Sequence, residues 1–413
     1  MKTLRTLLSK SYESNIPKVF IYLFLTEFIL ILPIWVLFLQ RERGLSLAQV
    51  TLTDIAFWAT IVLAEVPTGA VADVFGRKTS LITGAIIVSI SAILFAAAPT
   101  LPFILVANSL WAIGITFNSG ALQALLYDTL VQLDREADYT RLRGRLLVVG
   151  FGAVALSSFL GGWLGEFDLE LPFYFYSAAS VLGLLFLMRL KEPPETDDPD
   201  TDEKLTFRRT LQITVHAVRR EPNLRYILLY SSLMPVSTTV IVVLFLQPYA
   251  ASIGVPIIGI GVIVAVYQLL RALGSSASDR LVGFLGAWNL VRIAPLMVLA
   301  GMLFISFFRN MSGILLFGIA LVAEPAIRPL MESYLLKNAP PTVRATILSV
   351  DALLFRLILV IIEPGLGLMA DRQGLPPTFM MLGLVSFIAI MITLVGWSRI
   401  WGQKSDRGMV KHK

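Results

Sequence analysis

Long apolar segments recur along the whole chain and restrict what it can fold into. A helix needs about 20 apolar residues to cross the hydrocarbon core of a bilayer. Only 15% of the residues are charged, against about a quarter in soluble domains. The sequence therefore predicts an all-α polytopic membrane protein with twelve transmembrane helices. The twelve segments are 18–40, 48–70, 79–98, 101–128, 146–166, 171–190, 224–246, 255–276, 288–308, 311–336, 345–369 and 376–398.

The distribution of lysine and arginine predicts the orientation of these helices. Cytoplasmic segments of membrane proteins are enriched in both residues. With both termini inside the cell, 27 of the 34 Lys and Arg residues fall on cytoplasmic segments and four fall on outer segments. We therefore expect cytoplasmic termini and a multi-pass protein of the cell inner (plasma) membrane. Because topology accounts for the net charge of +6, we expect no nucleic-acid partner.

The longest polar stretch divides the chain into two halves. Residues 191–204 are rich in proline and acidic residues, which is typical of a solvated linker. The amphipathic segment 205–220 predicts a helix that either lies on the cytoplasmic membrane surface or connects the halves in solution. We expect an N-terminal six-helix bundle at 1–190, a cytoplasmic linker with this helix at 191–223, a C-terminal six-helix bundle at 224–398 and a basic cytoplasmic tail at 399–413.

The two halves share short features at a constant spacing. VLFLQ occurs at Val36–Gln40 and again at Val243–Gln247, 207 residues later. Tyr127 and Tyr334 are also 207 residues apart and lie at equivalent places in the predicted topology. The chain therefore resembles a tandem duplication, and parallel repeats of this kind are found in transporters. We expect two pseudo-symmetric bundles.

Composition excludes several classes of enzyme. The chain has no cysteine, which excludes thiol catalysis, disulfides and cysteine metal sites. Its two histidines, His216 and His412, lie outside the apolar segments. The phosphate loop G-x-x-x-x-G-K-[ST] of a nucleotide-driven pump is also absent from the sequence. We expect no enzyme activity, no catalytic residue, no cofactor and no metal site.

The most specific motif is GAVADVFGRKTSL at Gly69–Leu81, between the second and third apolar segments. It resembles the loop signature G-x-L-x-D-x-x-G-R-K-x-x-L of the major facilitator superfamily, with Val71 in place of leucine. The resemblance implies a fold of two six-helix bundles and a gating role for this loop. The alternative is a basic turn that only sets topology. The implied gating residues are Gly69, Asp73, Gly76, Arg77 and Lys78, with Asp279 in a weaker second copy of the motif and Arg344 as a partner for Asp73.

The resemblance extends to bacterial drug and solute antiporters. The sequence departs from proton-driven drug antiporters at two places. The segment 107–120 lacks the arginine that is common in them, and FLGGWLG at 159–165 lacks the proline of their signature. These departures concern the assignment to drug antiporters and not the fold. The resemblance implies secondary active transport of a small organic solute by alternating access, with proton-coupled export. The alternatives are a facilitative uniporter, a symporter or a transporter-like solute receptor. The expected partners are a small-molecule substrate, protons and the lipid bilayer, with the chain as a monomer.

Two carboxylates are candidates for proton coupling. Ionisable residues at bilayer depth cost about 2.5–3.5 kcal/mol each, so they need a partner or a function. Glu27 lies about nine residues into the first apolar segment, or about 13 Å deep. Glu324 lies four residues before Arg328 in EPAIRP. These two residues either form an internal i,i+4 ion pair or belong to a charged patch of the cavity.

Other polar residues in the apolar segments are candidates for substrate binding or for gating. The family resemblance places the first, fourth, seventh and tenth helices around a central cavity. Uncharged residues in these helices are either ligand contacts or hydrogen-bonding residues of the packing. The substrate-cavity candidates are Asn118, Gln123, Arg328, Ser237 and Thr238. The charges expected to form structural or gating pairs between the halves are Glu65, Arg271, Asp351 and Arg356.

Overall fold

Helices make up nearly all of the chain that the structure describes. The computed structural model describes residues 11–194, 218–340 and 343–406, and these ranges contain helices and connecting turns without a β-strand. The predicted amphipathic helix lies outside the described residues, apart from its last turn at 218–220. Both histidines and the end of the basic tail also lie outside them.

The chain divides into two compact units. The first consists of Met1–Pro199 with Gly254–Gln268, and the second of Asp200–Ile253 with Leu269–Lys413. The first unit contains eight complete α-helices within its described residues. They are α1 (Tyr12–Thr26), α2 (Trp35–Arg41), α3 (Leu47–Phe75), α4 (Arg77–Ala97), α5 (Leu101–Asn118), α6 (Ala121–Val131), α7 (Tyr139–Phe167) and α8 (Leu171–Met188).

The remaining helices begin at Pro222. One of them, α12, starts in the first unit and ends in the second. A short π-helix, Ile241–Phe245, separates α10 from α11. These helices are α9 (Pro222–Leu233), α10 (Val236–Val240), α11 (Leu246–Ser252), α12 (Ile257–Ser276), α13 (Ser278–Leu285), α14 (Ala287–Phe307), α15 (Met311–Asn338), α16 (Arg344–Gln373) and α17 (Leu375–Asp406).

Ten helical stretches of the described chain are long and apolar enough to cross a membrane. They are α3, α4, α5 with α6, the 3₁₀ turn Glu136–Asp138 with α7, α8, α9 through α11, α12, α14, α15 and α17 as far as Arg399. They coincide with ten of the twelve predicted segments. The other two are not among these ten: segment 345–369 lies within α16, and segment 18–40 is divided between α1 and α2. The structure therefore gives ten candidate spans where the sequence predicts twelve.

The first apolar segment is not one continuous helix. Helix α1 ends at Thr26 with Glu27 as its C-cap, and α2 begins at Trp35. Proline lacks the N–H that an α-helix needs and disfavours helical geometry in the residue before it. Pro33 lies between the two helices, so the chain resumes its helix only after this residue. This interruption leaves Glu27 at a helix end.

Prolines have different effects in the second unit. Pro235 lies between α9 and α10, at the first of the interruptions of the stretch from Pro222 to Ser252. In contrast, α15 runs without a break through Pro325 and Pro329.

The π-helix Ile241–Phe245 is a second irregular feature of this stretch. Short π-helical turns inside α-helices are frequently found at functional sites.

Close contact between α4 and α5 depends on two glycines. A Cβ on Gly84 would lie 2.7 Å from the Gly114 carbonyl oxygen, and a Cβ on Gly114 would lie 2.7 Å from Val88 Cγ2. Only glycine allows the two backbones to approach so closely. At the end of α5, Asn118 is bonded to Tyr22 of α1. Tyr22 belongs to a buried apolar cluster that also contains Val19 of α1 and Leu81 of α4.

Candidate functional site

The motif between α3 and α4 forms a sharp turn. Gly76 has a φ of 90° and ends α3, and α4 begins at the next residue. L-residues with side chains rarely adopt this φ, which explains the glycine. Asp73 lies exposed in the last turn of α3, and the Cβ position of Gly69 has no atom within 4 Å. The turn therefore presents Asp73 at the surface of the first unit.

The basic residues of the motif bind groups within the first unit. The Arg77 guanidinium forms an ion pair with the buried carboxylate of Asp128 on α6. The Lys78 ammonium donates to the carbonyl oxygens of Met188, at 3.2 Å, and Leu190, at 2.7 Å. The Lys78 backbone N–H donates to Glu192 Oε1 at 3.0 Å, so Glu192 caps the N-terminus of α4.

The segment that follows α8 is also bound to α1. Asn15 exchanges two hydrogen bonds with the backbone of Lys191, one donated by Nδ2 at 2.8 Å and one accepted by Oδ1 at 3.0 Å. The buried ammonium of Lys18 donates to the Arg189 carbonyl oxygen at 2.8 Å. The start of the linker is thus attached to α1 and to the motif turn.

The second copy of the motif makes fewer described contacts. Asp279 is exposed in the first turn of α13. Arg344 is the first residue of α16, and its Nε donates to the Leu336 carbonyl oxygen at 3.1 Å. Neither residue repeats the Arg77–Asp128 arrangement among the ion pairs of the described residues.

Glu27 lies next to α7 in the first unit. It is half-buried, and a Cβ on Gly150 of α7 would lie 3.7 Å from its Cγ. The carboxylate is close enough to the Tyr176 phenol to interact with it electrostatically. Tyr176 accepts a hydrogen bond from Trp111 Nε1 at 3.3 Å.

The polar candidates of α5 and α6 have contrasting environments. Asn118 accepts a hydrogen bond from the Tyr22 hydroxyl and donates to the Gly114 carbonyl oxygen at 3.1 Å. Gln123 Oε1 is buried and has no hydrogen-bond donor among the described residues. Of these two candidates, Gln123 therefore has an acceptor that remains available.

In the second unit, Glu324 and Arg328 have different partners. Glu324 is 4% exposed, and its Oε2 lies 3.7 Å from Arg271 Nη2. Arg328 Nε donates instead to Glu332 Oε1 at 3.1 Å. The suggested internal pair between Glu324 and Arg328 is therefore replaced by two pairs that involve other residues.

Asp351 is a second buried carboxylate of this unit. Its oxygens accept hydrogen bonds from Ser231 at 3.2 Å and Ser232 at 3.1 Å. Arg328 Nη2 lies 3.9 Å from Asp351 Oδ2. Arg328 thus lies between two carboxylates and makes a hydrogen bond to only one of them, Glu332.

The remaining candidates lie on α10, α3 and α16. Ser237 and Thr238 are buried in α10, where Thr238 Oγ1 donates to the Pro235 carbonyl oxygen at 3.0 Å. Glu65 on α3 and Arg356 on α16 are half-buried. Within residues 11–194, 218–340 and 343–406, no three His, Asp or Glu side chains are grouped as metal ligands.

Sequence reasoning missed several partners of its own candidates. Asp128 and Glu192 bind the motif, Tyr176 interacts electrostatically with Glu27, and Glu332 binds Arg328. Glu332 stands four residues after Arg328, a spacing that places two side chains on one face of a helix. That spacing could have predicted the pair of Arg328 and Glu332. The other contacts join residues that are far apart in the sequence, so no local pattern predicts them.

The chain matches known families and relatives. The sequence profile described as "Major Facilitator Superfamily" matches residues 19–362. "Multidrug resistance protein 1" of Bacillus subtilis (strain 168) is 26% identical over 172 residues, which cover 40% of this chain and 41% of that protein. "Uncharacterized MFS-type transporter YwoD" of the same organism is 30% identical over 156 residues, which cover 35% of this chain and 32% of that protein. Each match thus spans less than half of the relative.

Solved structures share the fold. The crystal structure of the nucleoside transporter NupG superposes with a TM-score of 0.76 at 13% identity, covering 92% of this chain and 98% of that one. The D-xylose-proton symporter superposes with a TM-score of 0.71 at 13% identity, covering 92% and 96%. The profile match extends over more than half of the sequence and the structural likeness over nearly all of it. The chain therefore belongs to the Major Facilitator Superfamily, a family of membrane transporters.

Proposed function

We propose that this chain is a secondary active transporter that exports a small organic solute by alternating access and takes up protons in exchange. The observation that carries the proposal is the position of Glu27 at the end of α1, half-buried next to Gly150 of α7. A carboxyl group in an apolar setting favours its neutral form, because burial of a charge is costly. Alternating exposure to water then lets the group bind and release a proton.

Glu324 is the second carboxylate that this proposal uses. It is buried, and its Oε2 has an ion-pair partner at 3.7 Å but no hydrogen-bond donor among the described residues. A proton on that oxygen would remove the cost of the buried charge. Each charge that crosses a membrane potential of 100 mV contributes about 2.3 kcal/mol, enough for about a fifty-fold solute gradient.

The proposed topology has twelve spans with both termini in the cytoplasm of the cell. Segments 18–40 and 345–369 are the two spans added to the ten candidates. The excess of Lys and Arg on alternate segments supports this arrangement, because loss of one span would invert every later segment. We also infer a location in the inner (plasma) membrane. The long polar stretch at 191–223 supports the division into bundles at 1–190 and 224–398.

The direction of transport rests on relatives. The similarity to Multidrug resistance protein 1 favours export of organic solutes. The fold is shared equally with a nucleoside transporter and with a D-xylose-proton symporter, which keeps proton symport as the second candidate. The remaining alternative is a transporter-like receptor, which would bind the solute without moving it across the membrane.

A thermal-shift screen of organic solutes at pH 6 and pH 8 tests the proposal. We expect a solute that stabilises the detergent-purified wild type in a pH-dependent way and loses that dependence in Glu27→Gln. Flux of the same solute across sealed vesicles with an imposed pH gradient then tests transport and its direction. Flux that ignores the gradient would contradict proton coupling, and binding without flux would indicate a receptor.

A further inference from the structure

An apolar groove of about 550 Å³ lies within the second unit, among α9, α10, α16 and α17. Along α16 it extends from Ile358 to Arg372, a rise of about 21 Å for an α-helix. One leaflet of the hydrocarbon core is about 15 Å deep, half of the ~30 Å of the whole core. The groove is therefore long enough to take an extended acyl chain. Its apolar lining includes Leu233, Val236, Ile362, Leu366, Leu382 and Val385.

The surface around the groove is also apolar. Ile361 and Leu368 of α16 and Ile388 of α17 are among the exposed large hydrophobic residues. Such a surface on a membrane protein faces lipid tails. The Cβ position of Gly365, in the groove itself, has no atom within 4 Å. The groove is therefore open to an occupant that comes from the bilayer.

One end of the groove is polar. Arg372 and Gln373, in the last turn of α16, line it there, next to the turn at Gly374. Arg372 is exposed and takes no part in the ion pairs found among the described residues. A guanidinium presents its N–H donors in a fork that matches the oxygens of a phosphate.

We propose that this groove binds one anionic phospholipid, with an acyl chain along α16 and α17 and the phosphate on Arg372. A positive group at one end and apolar residues along the rest match the two parts of such a lipid. A phospholipid brings its own phosphate as the acceptor for the Arg372 guanidinium. A soluble peptide or a second copy of the chain would not supply that phosphate. This site does not depend on the proposed transport function.

Cysteine protection tests the site directly. Since the chain has no cysteine, Gly365→Cys creates a single thiol in the groove. The protein is placed in nanodiscs of phosphatidylcholine alone or with phosphatidylglycerol, and the rate of reaction with N-ethylmaleimide, a neutral reagent, is measured. We expect phosphatidylglycerol to slow the reaction at least about fivefold, since one basic residue near anionic lipid contributes about 1 kcal/mol.

The matched control is Gly152→Cys on α7, which is likewise an exposed helical glycine with no atom within 4 Å of its Cβ position. Its reaction rate should be the same in both lipids. In the Gly365→Cys background, Arg372→Gln should abolish the protection, whereas Arg309→Gln, another exposed arginine, should leave it intact.

Equal rates for Gly365→Cys in the two lipids would overturn the proposal, as would protection that survives Arg372→Gln. Equal slowing at Gly152→Cys would also overturn it, because the effect would then belong to the bilayer as a whole. A wild-type melting temperature in each variant establishes that loss of protection is not loss of fold.

Discussion

The Arg77 guanidinium of the loop motif pairs with Asp128, which is 2% exposed on α6, 51 residues further along the chain. The positive charge of the motif is therefore used inside the first unit, where it neutralises a buried carboxylate. Removal of one partner from a buried ion pair is costly, because the other charge remains without compensation.

We expect Asp128→Ala to destabilise the protein by about 3 kcal/mol, because Arg77 would lose its partner. The double variant Arg77→Leu with Asp128→Ala should recover much of that loss, since no unpaired charge remains. Melting temperatures in detergent measure both effects. An additive loss in the double variant would mean that the two residues stabilise the fold independently.

Glu192 is expected to stabilise the start of α4. Its carboxylate accepts the hydrogen bond of the Lys78 N–H, and loss of such a cap costs about 0.5–2 kcal/mol. Glu192→Ala should therefore lower the melting temperature and raise amide hydrogen exchange in the first turn of α4. Glu221→Ala is the control, because Glu221 makes no side-chain cap at the start of α9. Equal exchange in both variants would contradict the capping role.

Glu27→Gln should abolish acceleration of transport by an imposed pH gradient, because glutamine cannot bind and release a proton. Solute binding at a fixed pH should persist, and Glu27→Asp should restore part of the coupling. Glu42→Gln, an exposed carboxylate after α2, should behave as the wild type. Vesicle flux with and without the gradient measures the difference. Full coupling in Glu27→Gln would make Glu27 a packing residue.

The sequence predicts helix positions well and side-chain partners poorly. Ten predicted spans match because each needs only a long apolar run, which local composition reveals. The break after Glu27 was also readable, since Pro33 cannot continue a helix. The pair of Arg77 and Asp128 was not, because its spacing has no helical period and depends on how α4 and α6 pack.

The candidate site residues also show that the sequence does not determine side-chain partners. Arg328 has carboxylates four residues away on both sides, and the sequence cannot say which one it binds. The structure selects Glu332 because Arg271 of α12 already lies next to Glu324. Tertiary packing decides between two equal local spacings.

The Arg271–Glu324 pair allows a test of whether Glu324 is structural or functional. Glu324→Leu alone should destabilise the protein because it removes the partner of Arg271, whereas Glu324→Leu with Arg271→Leu should restore stability, as replacement of a buried pair by apolar residues often does. If Glu324 binds the coupled proton, the stable double variant will still show no response to the pH gradient. Transport at the wild-type rate and with wild-type coupling in that variant would show that the pair only supports the packing of α12 against α15.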